Sequence, residues 1–300
     1  MKRDTRLHLG ALVFSAGLLF PAGAPAQSVV SSLSPSRVEV WGAFTLVPWA
    51  GTGTLESTYE PEVTSAPDAS GRLGQTLTLD PARGRGVEFG VNVYASSHVG
   101  IQAFVSRTST HVGGSNPPYE GVLQYISRPP PSGQPVPVAL NWAVSWPDTD
   151  GRLRQWTAGA GPALRWQGQR AAVVLSTGIV WTRLSGDAAA LGYTAFSLGG
   201  HSVLFSQDFR MRASLGPSMQ AGGYAAAMLD LVLGPHAAIT MGLRTLVASV
   251  TELPSTIGAI ADATGDVAPS VVADINRQMA LEPARLSPRR TGLVIGLKVR

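Results

Sequence analysis

The segment from Gly86 to Arg107 constrains the fold most, because two kinds of side chain alternate along its whole length. One set of alternate positions is aliphatic apart from one phenylalanine: Val87, Phe89, Val91, Val93, Val99, Ile101, Ala103 and Val105. The other set is small, polar, charged or aromatic: Glu88, Gly90, Asn92, Tyr94, Gly100, Gln102, Phe104 and Ser106. A period of two places these sets on opposite faces of a β-sheet. The polar stretch Ser96–His98 joins the two arms, so the segment predicts a hairpin.

Six further stretches alternate in the same way: Arg37–Val47, Leu153–Trp166, Ala171–Thr182, Leu215–Val232, Ala237–Leu246 and Thr291–Arg300. With the two arms of the hairpin they predict eight strands. Pro162 lies inside one of them and predicts a bulge or a local bend there, because proline cannot donate a ladder hydrogen bond.

Four long connections are rich in glycine, proline, serine and threonine, and we predict them as loops: Pro48–Arg85, Thr108–Gly151, Arg183–Ser214 and Val247–Arg290. The last one is expected to hold a short helix near Ser270 to Met279, because Val271, Ile275 and Met279 fall four residues apart. The other connections are short turns, so long and short connections alternate along the chain.

This order of connections is typical of a transmembrane barrel, which has short turns at one end and long loops at the other. In hydrocarbon every backbone donor and acceptor must be paired, so a sheet has to close on itself. We therefore predict an all-β fold, an eight-stranded antiparallel up-and-down transmembrane β-barrel with short periplasmic turns and four long extracellular loops. Its aliphatic face would contact lipid and its mixed face would point inward.

Three tryptophans are predicted to form aromatic girdles at the membrane surfaces. Trp156 and Trp166 share a face and lie roughly 33 Å apart along the strand, at about 3.3 Å per residue. A tilt of about 40° reduces this separation to roughly 25 Å, the height of the apolar band between girdles. Trp181 is expected to join Trp156 at the outer end. The alternative is that these side chains belong to the core of a soluble barrel.

The N-terminus has the three parts of an export signal. Lys2, Arg3 and Arg6 form a basic region, Leu9–Phe20 is apolar, and Ala24-Pro25-Ala26 fits a small-x-small cleavage site. We predict a signal peptide over residues 1–26, cleavage near Ala26/Gln27, a periplasmic leader over 27–36 and the barrel domain over 37–300. The apolar run is too short for an anchoring helix.

Composition excludes several classes of function. The chain has no cysteine, which rules out disulfides, thiolate metal sites and cysteine nucleophiles. The signal peptide holds three of the 23 basic and one of the 19 acidic residues, so the mature net charge is 20 minus 18, or +2. Such a balance gives no reason to expect nucleic acid as a partner.

The chain resembles the small eight-stranded bacterial outer-membrane barrels, the OmpA/OmpX-like family. The residues that carry the resemblance are the signal ending in Ala24-Pro25-Ala26, the hairpin Val87–Arg107, the stretch Trp156–Pro162 and the last strand Gly292–Leu297. Nearly all of the mature chain is covered. The resemblance implies residence in the outer membrane, contact with its lipid, and handling by periplasmic chaperones and the barrel insertion machinery. Such barrels usually end on an aromatic residue, whereas this chain ends Lys298-Val299-Arg300.

The predicted lumen is narrow and charged, so it is expected to be filled by side chains. Its inward set is Arg37, Glu39, Glu88, Gln102, Arg165, Asp230, Arg244 and Lys298. Buried charges must pair. Because the first and last strands meet where the barrel closes, Glu39 and Lys298 should approach each other near the periplasmic end. Arg165 and Asp230 are expected at a similar depth. A plugging network is the favoured interpretation, and a gated narrow pore is the alternative.

No catalytic or metal-binding motif occurs in the sequence. His111 with Ser115 and Glu120, and His201 with Ser202 and Asp208, supply the residue types for acyl transfer, but loop positions would not fix their geometry. We predict no enzyme activity, no cofactor and no metal.

Aromatic residues in the long connections suit contacts with a surface partner, and self-packing is the alternative: Tyr59, Tyr119, Tyr125, Trp142 and Trp146. The predicted function is a structural or cell-surface interaction role. A small-solute channel and a soluble exported ligand-binding barrel are the alternatives.

Overall fold

The computed structural model describes residues 37–47, 52–59, 73–116, 119–127, 136–198, 205–249, 251–262, 269–287 and 289–300. The predicted signal peptide and leader lie outside these residues.

The described residues form fifteen strands and one helix. In chain order these are β1 (Val38–Val47), β2 (Gly53–Tyr59), β3 (Leu73–Pro81), β4 (Gly84–Tyr94), β5 (Val99–Ser115), β6 (Tyr119–Ser127), β7 (Val136–Gln167), β8 (Ala171–Leu198), β9 (Phe205–Val232), β10 (Ala237–Ala248), β11 (Thr251–Leu253), β12 (Ser255–Asp262), α1 (Pro269–Gln278), β13 (Met279–Leu281), β14 (Ala284–Leu286) and β15 (Arg290–Val299).

Eight strands pair into a closed antiparallel ring, in the order β1, β4, β5, β7, β8, β9, β10 and β15. The pairing of β1 with β15 closes the ring, with Phe44 opposite Ile295 and Val40 opposite Val299. Closure gives every strand of the ring two partners, so no sheet edge is exposed to lipid. The predicted eight-stranded antiparallel barrel is confirmed.

The connections alternate as predicted. Short turns at residues 95–98, 168–170 and 233–236 join β4 to β5, β7 to β8 and β9 to β10. The chain enters β1 and leaves β15 at this same end, which we assign to the periplasm. Three of the other four connections contain β2 and β3, β6, and the segment from β11 to β14 with the helix α1. The fourth joins β8 to β9 through residues 199–204, which lie outside the described residues.

The prediction that Pro48–Arg85, Thr108–Gly151, Arg183–Ser214 and Val247–Arg290 are loops is wrong for most of their described residues. Instead, β7 runs over 32 residues, and β8 and β9 over 28 each, so all three continue far beyond the predicted strand ends. The described part of Thr108–Gly151 includes β6, which pairs with β7 alone. Pro137 of β7 lies opposite Ile126 in this pairing, beyond the residues of β7 that pair with β8, so its missing N–H is tolerated at a sheet edge.

These extensions form because their apolar residues turn inward. Leu153, Leu184 and Phe209 are almost fully buried, whereas many apolar residues of the lower barrel are exposed on its outer face. On β9 the change is accompanied by a bulge, in which Gly216 and Pro217 lie opposite Ser185 alone. The extra residue reverses the alternation of β9 and keeps its apolar side chains inside.

Two separate cores result. The lumen core consists of Trp41, Ala43, Phe104, Ala163, Val174, Val180, Tyr224, Ala226, Met228, Leu246 and Val294. The outer core lies beyond it and consists of Leu55, Tyr59, Leu77, Leu79, Val112, Trp146, Leu153, Leu184, Ala190, Phe209, Met211, Leu215, Leu253, Ile260, Met279, Ala284 and Leu286. Tyr59 and Trp146 therefore pack inside the protein.

The short helix predicted near Ser270 to Met279 is confirmed as α1, Pro269–Gln278. Within the described ranges, no helix is long and apolar enough to cross a membrane. The bulge predicted at Pro162 is absent. Ala160 opposite Ile179 and Ala163 opposite Ser176 keep the same register across it.

Gly90 offers a test of the packing inside the barrel. A Cβ atom at this position would press against the ring of Trp41 and lie 2.8 Å from the carbonyl oxygen of Ala103. We expect Gly90→Ala to lower the free energy of unfolding by about 1–3 kcal/mol, the usual cost of overpacking. The measurement is the urea midpoint at which the unboiled barrel loses its shifted mobility on a gel.

Gly234→Ala is the matched control, because a Cβ atom at that turn position would meet nothing within 4 Å. Equal urea midpoints for the two variants would contradict the close packing of Gly90 against Trp41 and Ala103.

Candidate functional site: the charged lumen

The candidate site is a network of charged side chains inside the barrel. Alternation along each strand places it there, because the residues between the lipid-facing positions point to the axis. Of the predicted inward charges, six are almost fully buried: Glu39, Glu88, Arg165, Asp230, Arg244 and Lys298. Arg37 is the exception. It is exposed and precedes the first residue of β1, so its predicted place in the lumen is wrong.

Glu39 is the centre of the periplasmic half of this network. Its Oε1 lies 2.8 Å from Arg165 Nη1 and 3.2 Å from Arg300 Nε, and its Oε2 lies 3.3 Å from Lys298 Nζ. Asn92 Nδ2 donates a hydrogen bond of 3.2 Å to the same Oε2. The predicted approach of Glu39 and Lys298 is therefore present, and it belongs to a larger cluster.

Arg165 and Asp230 do not pair with each other, although they share this end of the lumen. Asp230 Oδ2 accepts from Lys298 Nζ at 2.6 Å and lies 3.8 Å from Arg300 Nη2. Arg165 stacks its guanidinium 3.8 Å from the centre of the Tyr94 ring, a favourable contact for a desolvated cation.

The second cluster is centred on Arg244, further toward the cell exterior. It forms an ion pair with Glu88, and its guanidinium lies 3.6 Å from the centre of the Phe104 ring. Trp41 and Tyr224 are the other aromatic neighbours of this guanidinium, at 5.4 and 5.7 Å. An arginine enclosed by rings and one carboxylate is fixed in position.

Amide side chains join the two clusters into one network. Arg244 Nη2 donates to Gln102 Oε1 at 3.2 Å, and Gln102 Nε2 donates to Asn92 Oδ1 at 3.0 Å. Asn92 in turn donates to Glu39. Ser176 Oγ also donates to Gln102, at 2.7 Å. The chain of bonds crosses the lumen from one charge cluster to the other.

Arg290 was missed by the sequence analysis, which placed it at the end of a loop. It is buried, and its Nη1 and Nη2 donate to the hydroxyls of Thr108 and Thr157 at 2.9 and 3.2 Å. The sequence pattern that could have identified Arg290 is the alternation along β15, in which even-numbered residues such as Val294 and Lys298 point inward. Arg300 was missed too, because nothing in the sequence indicated that its side chain turns back to Glu39.

A small cavity lies between Glu88, Arg244 and Arg290. Its volume is about 20 Å³, room for about one water molecule. In the part of the chain that is described, no group of three or more metal-ligating side chains occurs. At this point the lumen offers paired charges and room for about one water molecule.

The predicted girdle tryptophans all lie on the outer surface. Trp156, Trp166 and Trp181 are each about half exposed, at 48%, 49% and 49%. Trp156 pairs with Arg183, and Ala158 with Trp181, so the two outer tryptophans are separated by two residues along the strands. Trp166 lies near the periplasmic turn.

The histidine sets considered for catalysis are not assembled in the described residues. His111 Nε2 lies 3.3 Å from Asp150 Oδ1, but both side chains are exposed. Ser115 is four residues further along β5, roughly 13 Å away. His201 and Ser202 lie outside the described residues, and the side chain of Glu120 is also outside them.

An apolar belt surrounds the ring of eight strands. Its exposed side chains include Val40, Phe44, Leu46, Phe89, Val93, Ile101, Val105, Ile179, Leu243, Ile295 and Leu297. Outward apolar side chains, an inward charge network and full backbone pairing are the arrangement required in a bilayer. The fold therefore defines an integral outer-membrane β-barrel protein.

No protein-family model matches the sequence, and no curated protein matches it. Among solved structures, the outer membrane protein OprG from Pseudomonas aeruginosa is 9% identical, with 87% of this chain and 94% of that chain covered and a TM-score of 0.40. Ail, the attachment invasion locus protein of Yersinia pestis, is 11% identical, with 88% and 99% covered and a TM-score of 0.30. The outer membrane protease OmpT from Escherichia coli is 8% identical, with 89% and 97% covered and a TM-score of 0.34.

Glu39→Gln tests whether the barrel depends on the charge network. The amide keeps the shape of the side chain but removes the carboxylate that pairs with Arg165, Lys298 and Arg300. Asp230 then remains as a partner of Lys298 and Arg300, and not of Arg165, among the described ion pairs. We expect the free energy of unfolding to fall by about 3–5 kcal/mol, the cost of breaking a buried ion pair from one side. Urea unfolding of the barrel in micelles measures this change.

The control is Glu252→Gln, whose carboxylate pairs with Arg285 at 3.3 Å on the exposed surface. Exposed pairs contribute about 0–1 kcal/mol. A loss for Glu39→Gln no larger than that of the control would contradict a structural role of the network.

Proposed function

We propose that this protein is a closed, non-conducting outer-membrane barrel that holds a rigid β-structure at the cell surface for interaction with a partner. The observation that carries the proposal is the outer core. A channel needs an open mouth, whereas here buried apolar side chains from ten strands fill the space beyond the lumen, as Leu55, Leu79, Leu153, Leu184 and Phe209 illustrate.

Hydrogen bonds at the edges of the outer core support the proposed rigidity. Asn116 Oδ1 accepts from Thr78 N at 2.6 Å, and its Nδ2 donates to the carbonyl oxygen of Trp146 at 2.9 Å. Asn276 of α1 binds both backbone groups of Ile260 on β12, at 2.9 and 3.0 Å. Such side-chain clamps hold separate segments in one arrangement, as a pre-organised binding surface requires.

The charge network inside the barrel supports the proposal that the lumen does not conduct. A conducting lumen would need a continuous free path, and the space between Glu88, Arg244 and Arg290 has room for about one water molecule. A soluble ligand-binding barrel, the other alternative, would have to leave Phe44 and Ile101 in water at 75% and 61% exposure. The large number of exposed apolar side chains on the outer face of the barrel favours a lipid environment.

We also propose that the chain reaches the outer membrane by the ordinary export route. In this proposal the signal peptide is cleaved near Ala26/Gln27, and periplasmic chaperones and the barrel insertion machinery act on the mature chain. The support is the tripartite N-terminus and the closed barrel that follows it. N-terminal sequencing of the membrane form tests the cleavage position.

Conductance measurements separate the closed barrel from a channel. We expect purified protein in planar bilayers to give no discrete conductance steps above those of lipid alone. The proposal is overturned by steps whose size changes in Arg244→Gln, a lumen variant, and stays unchanged in Arg285→Gln, an exposed variant of the outer structure.

Attachment measurements test the surface role. Cells displaying the protein are compared with cells carrying the empty vector on surfaces coated with extracellular-matrix protein, sulfated glycan or albumin. We expect at least a roughly tenfold increase in attachment to one specific coating, since about 1.4 kcal/mol of added binding free energy corresponds to tenfold. Equal attachment on every coating, for correctly folded barrel, contradicts the interaction role.

A further inference from the structure

Arginine side chains collect on one outward face of the barrel, at the level of Trp156 and beyond it. This arginine belt consists of Arg85, Arg107, Arg152, Arg154 and Arg183, all of them exposed. The residues come from four consecutive strands of the ring, β4, β5, β7 and β8. Neither the lumen network nor the outer core uses them.

Strand register places the belt in ordered rows. Arg107 is opposite Trp156, and Trp156 is opposite Arg183, so one tryptophan lies between two arginines. At about 4.8 Å between strands, the two arginine backbones are roughly 10 Å apart. The next row, roughly 7 Å further out, pairs Arg85 with Ser109 and Ser109 with Arg154.

The row just below the belt is wholly apolar. It runs through Phe89, Val105, Ala158, Trp181 and Ala221 on five neighbouring strands. The change from apolar side chains to arginine therefore takes place within two residues. A boundary of this kind, with tryptophan on it, is typical of the level at which lipid headgroups meet acyl chains.

The belt is also confined to one side of the barrel. Its first row continues on β1 to Phe44 and on β9 to Met219, and both side chains are uncharged and highly exposed. The second row continues to Leu46, opposite Arg85. At the level of these two rows, the neighbouring strands β1 and β9 carry no arginine.

Little negative charge compensates the belt within this face. Asp187 Oδ1 lies 3.2 Å from Arg154 Nη2, and Asp150 lies beside His111. The guanidinium of Arg107 lies 5.3 Å from the centre of the Trp156 ring, which orients it without neutralising it. The face keeps a net positive charge that an anionic group can neutralise.

We propose that the arginine belt binds the phosphate groups of phosphorylated lipids in the outer leaflet. A guanidinium presents two parallel N–H donors that match two phosphate oxygens, which a lysine cannot do. The acyl chains of such a lipid would lie on the apolar row beneath, beside Trp181 and Val105. Free phosphate would use the arginines alone, so the apolar row favours a lipid as the source of the phosphate.

The test uses the whole protein in vesicles of phosphatidylcholine that contain spin-labelled phosphatidic acid, a lipid with a phosphate monoester next to its acyl chains. The measured quantity is the fraction of labelled lipid immobilised at the protein surface, relative to labelled phosphatidylcholine. We expect the protein to prefer phosphatidic acid, and Arg107→Gln with Arg183→Gln to reduce that preference roughly tenfold.

Arg210→Gln with Arg212→Gln is the matched control. It removes the same charge from exposed positions of β9 that lie further out than the belt, opposite Leu191 and Ala189. All variants change lipid-facing or solvent-facing side chains, and mobility of unboiled protein on a gel verifies that each barrel is folded. We expect this control to keep the preference of the unaltered protein.

Three results would overturn the proposal. The first is equal immobilisation of both lipids by the unaltered protein. The second is an equal loss in both double variants, which would mean that net charge alone attracts the lipid. The third is complete displacement of labelled phosphatidic acid by inorganic phosphate in the buffer, which would assign the belt to free phosphate.

Discussion

The pairing of β1 with β15 is the contact on which the rest of the structure depends. It gives each of the eight ring strands two neighbours and satisfies the backbone where no water can do so. Closure also divides the side chains into an outer and an inner set. The outer set is free to be apolar, and the inner set must fill a narrow space. The buried charges around Glu39 and Arg244 are stable only because closure brings their partners from distant strands.

The ring and much of the lumen could be predicted from the sequence, because they depend on a period of two. Alternation identified all eight strands and placed Glu39, Glu88, Arg244 and Lys298 inside. The ion-pair partner of each charged residue was harder to predict from the sequence. Arg165 and Asp230 share one end of the lumen, but Arg165 pairs with Glu39 and Asp230 with Lys298, since pairing depends on side-chain reach across the lumen. Arg290 was not predicted to lie in the lumen, because the sequence analysis assigned it to a loop.

The outer structure could not be predicted in the same way, because the meaning of the pattern changes along a single strand. In β7, apolar Trp156 points to the outside and Leu153 points to the inside, only three residues away. A strand in lipid exposes its apolar residues and a strand in water buries them, so alternation alone gives no sign of where one environment ends. Proline and glycine made these segments resemble loops, although edge pairing and a bulge accommodate Pro137 and Pro217.

The outer core joins side chains from β2, β3, β5, β7, β8 and β9 with others from the segment between β10 and β15. No one of these segments can bury its apolar residues alone, so each must cross the outer membrane before the core exists. Assembly outside the cell then removes this apolar surface from water. Separating these segments again would require returning the same apolar surface to water. The outer core therefore opposes the unfolding of each of its segments, so the segments stabilise one another.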